Sequence, residues 1–278
     1  MRTLVHLSDL HFGTVRQEIV LPMLSLLERI QPDLIAVSGD LTQRARKEQF
    51  AAAREFLDAM RFPKIVVPGN HDIPLYNLFA RFALKLTRYR RYISDELEPF
   101  YNDPEIAVLG INTARSATFK GGRVNSEQVA RMQERLGPLN GVTKIVVTHH
   151  PFDLPEAYPD KALVGRARRA MQQLAGSGID LFLAGHLHIG LSQPTALRFQ
   201  ISGRSPLMIQ AGTALSSRVR GEANSFNVIR IQHPNISVSR LVWRADLKAF
   251  VSTHADYFRH TEAGWARGSK LDLAEPEE

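Results

Sequence analysis

The chain has 278 residues, and 44% of them are hydrophobic, which is enough for a substantial core and argues against global disorder. It contains no cysteine, which excludes disulfides, thiolate zinc sites and a cysteine nucleophile, so any metal must be bound through nitrogen and oxygen. The formal net charge of +7 favours acidic partners such as nucleotides, nucleic acid or anionic lipid, although an arginine-rich surface in water would give the same charge.

Short runs rich in Val, Ile and Leu alternate with longer helical patterns, which is typical of an α/β protein. In chain order, the sequence predicts a strand over 4–7, a helix over 17–30, a strand over 34–37, a helix over 47–60, strands over 64–67 and 106–111, a helix over 126–136, and strands over 144–148, 180–184, 207–210, 226–231 and 236–243. Asn125, followed by Gln128, predicts the N-terminal cap of the third helix. We expect one domain over 1–260 and a C-terminal tail over 261–278.

Five of the predicted strands end in polar clusters, which together contain six of the ten histidines. In open α/β sheets ligands bind at the carboxyl ends of the strands, so clusters in that position can converge on one site. Gly39, Gly69 and Gly185 would allow the tight turns that such convergence requires. The clusters are Ser8-Asp9-Leu10-His11, Gly39-Asp40, Gly69-Asn70-His71-Asp72, His149-His150 and Gly185-His186-Leu187-His188.

The order and spacing of these clusters resemble those of the calcineurin-like metallophosphoesterase superfamily, over about two thirds of the chain. The resemblance implies an α/β fold, a four-layer α-β-β-α sandwich of two mixed sheets with a dinuclear metal site at the strand ends. It implies one divalent ion held by Asp9, His11, Asp40 and His188, and a second held by Asp40, Asn70, His149 and His186. Mn, Fe or Zn would suit these nitrogen and oxygen ligands.

The resemblance also implies a mechanism in which a hydroxide that bridges the two ions attacks the phosphorus. His71 is the candidate that protonates the leaving oxygen or holds a phosphoryl oxygen, and Asp72 would orient its ring. His149 directly ends its strand, which leaves His150 as an outer residue of the site or a substrate contact. For His6, which lies within the first strand, packing is the preferred interpretation.

The motifs Gly-Asn-His-Asp, His-His-Pro and Gly-His-x-His look like those of the bacterial class III cyclic-nucleotide phosphodiesterases and their glycerophosphodiesterase relatives. Hydrolysis of such a phosphodiester is therefore the leading prediction. The alternative is a UDP-2,3-diacylglucosamine pyrophosphatase-like hydrolase of a lipid A precursor, although His71 stands where the best-known branch of those enzymes carries Arg. A nuclease and a non-catalytic scaffold are further alternatives, but the chain has no dedicated nucleic-acid module and all seven ligand positions are intact.

Residues 73–95 combine apolar residues at helical spacing with five basic residues, and two interpretations stay open. The segment is either a basic amphipathic lid that contacts an anionic membrane or an acyl chain, or a helix that packs its apolar side on the core. No stretch approaches the roughly 18 apolar residues of a membrane span, and the N-terminus lacks a signal-peptide core. We therefore expect a cytoplasmic protein with a nucleotide or lipid-linked substrate, peripheral to the inner membrane only under the lid interpretation.

Overall fold

The computed structural model describes residues 1–74, 85–115, 121–155, 157–195, 205–218 and 221–270, and in this part of the chain the strands form two mixed sheets. The first sheet contains β1 (Arg2–Leu7), β2 (Leu34–Ser38), β3 (Lys64–Val67), β10 (Ser225–Gln232), β11 (Asn235–Arg244), β12 (Ala249–Thr261) and β13 (Gly264–Arg267), in the order β13-β12-β11-β10-β1-β2-β3. The second contains β4 (Phe100–Asn102), β5 (Ile106–Gly110), β6 (Thr143–Val147), β7 (Leu181–Ala184), β8 (Leu191–Pro194) and β9 (Leu207–Gln210), in the order β4-β5-β6-β7-β9-β8.

Parallel pairing gives one group of neighbouring strands in each sheet a common direction. In the first sheet β1, β2 and β3 are parallel, and the register places His6 opposite Ala36 and Ala36 opposite Ile65. In the second sheet β5, β6, β7 and β9 are parallel. The remaining strands, β4, β8 and β10 to β13, pair antiparallel with their neighbours. All five polar clusters therefore follow the carboxyl ends of parallel strands.

Apolar side chains fill three separate spaces, which define four layers. Leu4 and Ile145 lie in the space between the two sheets. Their chain neighbours Val5 and Val146 point to the outer faces, where helices cover them. Because successive strand residues point to opposite faces, a strand covered on both faces is apolar throughout, which explains the apolar runs in the sequence. The predicted α-β-β-α sandwich is confirmed: α1 (Gln17–Ile30), α2 (Lys47–Ala59) and α3 (Thr87–Tyr92) cover the first sheet, and α4 (Ser126–Leu136) and α5 (Ala167–Leu174) cover the second.

The predicted cap of α4 is present. The Asn125 side chain accepts a hydrogen bond from the Gln128 amide at 2.8 Å, and the Gln128 side chain accepts one from the Asn125 amide at 3.2 Å. Periodicity in the sequence did not predict β4, β8, β12, β13 and α5. In β12, three consecutive exposed residues and a register shift against β11 interrupt the period of two by which a strand is recognised.

The predicted tail over 261–278 begins too early. Within it, β13 pairs with β12, and only 3% of the Trp265 surface is exposed. The indole Nε1 of Trp265 donates to Asp180 Oδ1 at 3.1 Å, which anchors this strand to the residue before β7. A single large aromatic side chain buries enough surface to hold an otherwise polar segment, and such a residue produces no periodicity. Residues 271–278 lie outside the described residues.

The predicted lid over 73–95 is described only in part, because residues 75–84 lie outside the described residues. The part that follows them forms α3, which packs beside α2. Tyr89 is fully buried and donates a hydrogen bond to the carbonyl oxygen of Val66 at 2.9 Å, and Leu86 is buried with it. This part packs on the core, as the second interpretation predicts. Within the described ranges, no helix is long and apolar enough to cross a membrane.

Candidate metal centre

The structure brings the polar clusters together at one edge of the two sheets. From the first sheet come residues after β1 and β2 and the short 3-10 helix Asn70–Asp72 after β3; from the second come residues after β6 and β7. Their ligand atoms form three groups, and within each group the atoms lie within 4.8 Å of one another. The groups are Asp9, His11 and His188; Asp9, Asp40 and His149; and His149, His150 and His186.

Two histidines face one oxygen of Asp9 inside the site. The Nε2 atoms of His11 and His188 each lie 3.5 Å from Asp9 Oδ1. Asp9 Oδ1 and both ring nitrogens of His11 are buried, and none of these three atoms has a hydrogen-bond partner among the described residues. An unsatisfied buried polar atom costs about 1–3 kcal/mol. A divalent ion bound to Asp9 Oδ1 and a His11 nitrogen would satisfy those two atoms, so these residues fit a metal.

Asp40 lies between the two sides of the site. Its Oδ2 is 3.7 Å from His11 Nε2, and its Oδ1 is 3.4 Å from His149 Nε2. Asn70 Oδ1 lies 3.2 Å from the same His149 nitrogen. One carboxylate therefore presents an oxygen to each side, which is the placement needed in a residue that bridges two ions.

Two contacts outside the ligand groups determine which ring nitrogen faces the site. His149 Nδ1 donates to the carbonyl oxygen of Ser38 at 2.8 Å, which turns Nε2 toward Asp40. His188 Nδ1 lies 2.6 Å from Thr213 Oγ1, which turns its Nε2 toward Asp9. Partners of this kind fix the tautomer and the orientation of metal-binding histidines. The sequence does not single out Thr213, because this residue lies after β9 in a run of small residues without a metal-binding side chain.

The carboxylates and imidazoles alter one another's pKa values. Burial raises the pKa of Asp40, but His149 beside it holds that pKa well below its usual range. Burial lowers the pKa of His149, and the Asp40 carboxylate outweighs this effect and raises the pKa to about 9. Burial and His149 together lower the pKa of His186 to about 3. A proton and a metal ion compete for His149 Nε2, so metal binding would release that proton.

Five of the seven predicted ligand residues adopt the left-handed backbone conformation. Residues with a Cβ rarely do so, because the conformation is strained, and such residues are concentrated at functional sites. The φ angles are +53° at Asp9, +48° at His11, +53° at Asp40, +74° at His186 and +62° at His188. Gly39 has φ +91°, and a Cβ there would lie 2.8 Å from His149 Nδ1. The backbone thus bends sharply at the strand ends, which directs the side chains into the site.

His71 lies beside the ligand groups, with its ring centroid 4.9 Å from that of His11. Its Nδ1 donates to the carbonyl oxygen of Gln43 at 2.8 Å. Because a carbonyl can only accept, Nε2 is the atom that faces outward, and Arg218 Nη1 lies 3.3 Å from it. Burial lowers the pKa of His71, and His11 lowers it further against the opposing effect of Asp40.

Asp72 has different partners from those predicted. Its carboxylate accepts hydrogen bonds from the backbone amides of Leu41, Thr42 and Gly69 at 3.2, 2.9 and 2.9 Å. Burial and the nearby Asp40 raise its pKa to about 6. The prediction that Asp72 orients the His71 ring is wrong, because the carboxylate satisfies buried backbone amides of the loops after β2 and β3. It holds those two loops together.

A family model described as calcineurin-like phosphoesterase matches residues 2–190, a range that includes all five polar clusters. The chain belongs to this family. The matched part runs from β1 through the cluster after β7 and omits β8 to β13.

Two relatives of this chain, both distant, are named as phosphodiesterases. The glycerophosphodiester phosphodiesterase GpdQ of Enterobacter lignolyticus is 27% identical over 161 residues, which are 53% of this chain and 56% of that protein. A probable cyclic nucleotide phosphodiesterase of Synechococcus is 22% identical over 178 residues, which are 62% of this chain and 64% of that protein. The chain thus spans less than two thirds of either relative. The structure of purple acid phosphatase PPD1 from yellow lupin shares the fold, with a TM-score of 0.69 and 11% identity over 91% of this chain and 53% of that one.

His150 is buried beside His149 and His186. Its Nδ1 is 2.9 Å from Thr113 Oγ1, and its ring centroid is 4.6 Å from that of His186. Because it forms a ligand group with His149 and His186, it is a candidate ligand as well as the outer residue or substrate contact predicted from the sequence. His6 is fully buried within β1, as expected of a packing residue.

Proposed function

We propose that this phosphoesterase hydrolyses phosphodiesters with two divalent metal ions, Mn, Fe or Zn. The observation that supports it best is the group of buried, unsatisfied atoms on Asp9 and His11, next to a carboxylate that faces both sides of the site. One ion would be held by Asp9, His11, Asp40 and His188, and the other by Asp40, Asn70, His149 and His186. Bound there, the ions would lower the pKa of water and neutralise charge on the phosphoryl oxygens.

His71 is the residue proposed to protonate the leaving oxygen or to hold a phosphoryl oxygen. Its Nδ1 is held by Gln43, so the proton that it would transfer, or the hydrogen bond that it would donate to a phosphoryl oxygen, lies on Nε2. A lowered pKa makes the protonated ring a stronger acid. The Gln43 carbonyl thus orients the ring, and the backbone amide of His71 donates to Asp40 Oδ1 at 2.8 Å, which fixes the residue against the site.

The proposed substrate is a small diester of the cyclic-nucleotide or glycerophosphodiester kind. The names of the two relatives support this class, and so does the resemblance of the motifs to those of cyclic-nucleotide phosphodiesterases and their glycerophosphodiesterase relatives. In the part of the lid that the structure describes, the burial of Leu86 and Tyr89 gives no support to an acyl-binding cover, so the lipid A precursor has no observation in its favour. Cytoplasmic location and membrane contact stay predictions, which cell fractionation and liposome flotation would test.

The test compares the purified parent protein with Asp40→Ala and measures the metal content and the turnover of each. With Mn²⁺, the parent should bind two ions and hydrolyse an aryl phosphodiester, and a panel of cyclic nucleotides, glycerophosphodiesters, DNA and UDP-diacylglucosamine would identify the substrate. Asp40→Ala should lose both turnover and metal, because neither set of ligands stays complete. Asp180→Ala is the control, since Asp180 is a partly buried aspartate that precedes β7, at the opposite end from the site. A parent that binds no metal would favour the scaffold, and full turnover in Asp40→Ala would contradict the two-ion arrangement.

A further inference from the structure

The loop over 211–218, which follows β9, contacts the site on two sides. Thr213 contacts His188, and Arg218 contacts His71. Backbone hydrogen bonds hold the loop to the segment after β1: the Ala214 amide donates to the Ser8 carbonyl at 3.0 Å, and the Ser217 amide donates to the Thr14 carbonyl at 2.9 Å. These hydrogen bonds hold the backbone before Arg218 in place beside the site.

Among the described residues, the contacts of the Arg218 guanidinium are with neutral groups. Its Nη1 lies 3.2 Å from Gln43 Oε1 and 3.3 Å from His71 Nε2. Within the described part of the chain, it has no carboxylate partner and its Nε and Nη2 atoms have no hydrogen bond. The side chain is only partly buried, so these donors are open to solvent or to a ligand.

An arginine placed in this way is suited to an anionic ligand. The planar fork of the guanidinium matches the paired oxygens of a phosphate, and a hydrogen bond to a charged oxygen is roughly twice as strong as one to a neutral acceptor. A phosphate oxygen would therefore displace the neutral Gln43 and His71 from Nη1. The same movement would uncover His71 Nε2, the atom required at the leaving oxygen.

We propose that Arg218 binds a non-bridging oxygen of the substrate phosphate, and that it moves from His71 to the phosphate when the substrate binds. This inference rests on the proposed function, because it requires a phosphoester in the site. It makes Arg218 a catalytic residue that the sequence motifs do not include, in a loop outside the range matched by the family model.

The test measures binding of inorganic phosphate to the Mn²⁺-loaded protein by titration calorimetry, with metal content and melting temperature as companion readouts. Arg218→Gln should keep both ions and the parent melting temperature but weaken phosphate binding by roughly 10- to 100-fold, the factor for one hydrogen bond between charged groups. Arg218→Lys should recover part of the affinity, because it keeps the charge and loses the fork.

Arg16→Gln is the matched control. Arg16 lies beside the same loop, where its amide donates to the Leu215 carbonyl at 2.9 Å, but its guanidinium is already paired with Glu18 at 2.8 Å. Its replacement removes the same charge and should leave phosphate binding unchanged. An equal loss of phosphate affinity in Arg16→Gln would show that the effect comes from net charge alone and would overturn the inference. Unchanged phosphate affinity in Arg218→Gln would also overturn it, while leaving the two-metal function intact. A parent that binds neither metal nor phosphate would overturn both.

Discussion

Replacing Thr213 with Val removes the hydrogen-bonding group at His188 while keeping the shape of the side chain. The Oγ1 of Thr213 is buried and lies 2.6 Å from His188 Nδ1. Without it, the Nδ1–H of the neutral, metal-binding tautomer would be buried with one partner fewer, at a cost of about 1–3 kcal/mol. That cost corresponds to a loss in metal affinity of roughly 10- to 100-fold, the range seen for partners of metal-binding histidines. Competition against a fluorescent chelator measures it directly.

Thr113→Val provides the matched control at the same edge of the sheets. Thr113 Oγ1 is also buried and lies 2.9 Å from His150 Nδ1, and it accepts a further hydrogen bond from the His150 amide at 3.3 Å. The control therefore loses at least as much hydrogen bonding, but at a histidine outside the proposed ligand set. Metal affinity should fall in Thr213→Val and change little in Thr113→Val. Unchanged affinity in Thr213→Val would refute the reasoning, and an equal fall in both would make His150 a ligand.

Two further substitutions test the chemistry and the backbone of the site. His71→Ala should keep both ions and lose on the order of 10² to 10⁴ in kcat. The loss should be smaller for substrates whose leaving group is acidic, because that oxygen needs no proton to depart. A fall in metal content, measured by plasma emission, would instead make His71 a ligand. Gly39→Ala should lower metal affinity and the melting temperature more than Gly141→Ala, because both glycines have positive φ but only at Gly39 would the Cβ crowd His149 Nδ1, at 2.8 Å. Equal melting temperatures in the two variants would show that crowding at Gly39 is relieved without cost.

The polar clusters could be assigned to one site from the sequence because each follows a local rule, and the family resemblance implied which of their residues are ligands. A buried parallel strand is an apolar run, and a polar cluster after it lies at the carboxyl end, where ligands bind. Asp9 and His149 were therefore assigned to one site although 140 positions separate them. The cap at Asn125 is local in the same sense, since both of its hydrogen bonds join residues three positions apart.

The residues that orient the ligands could not be predicted, because their roles depend on contacts across the fold. Thr213 reaches His188 from a different strand end, and Arg218 reaches His71 over 147 positions. Neither side chain stands out locally, since threonine is common in loops and arginine is frequent throughout this basic chain. Asp72 shows the opposite error: a carboxylate next to a candidate catalytic histidine suggested a pair, but the backbone turn directs it to the amides of neighbouring loops instead.

Contacts between the two sheets give them reciprocal roles at the site. The first sheet supplies Asp9, His11, Asp40 and Asn70, and the backbone carbonyl of Ser38 at the end of β2 orients His149 from the second sheet. Conversely, the second sheet supplies His186, whose amide donates to Asp9 Oδ2 at 3.0 Å. Each sheet therefore positions a proposed ligand that follows a strand of the other sheet. The geometry of the site thus depends on the packing of the apolar residues between the two sheets. A substitution in that core, remote from every ligand, should disturb the site through this shared geometry.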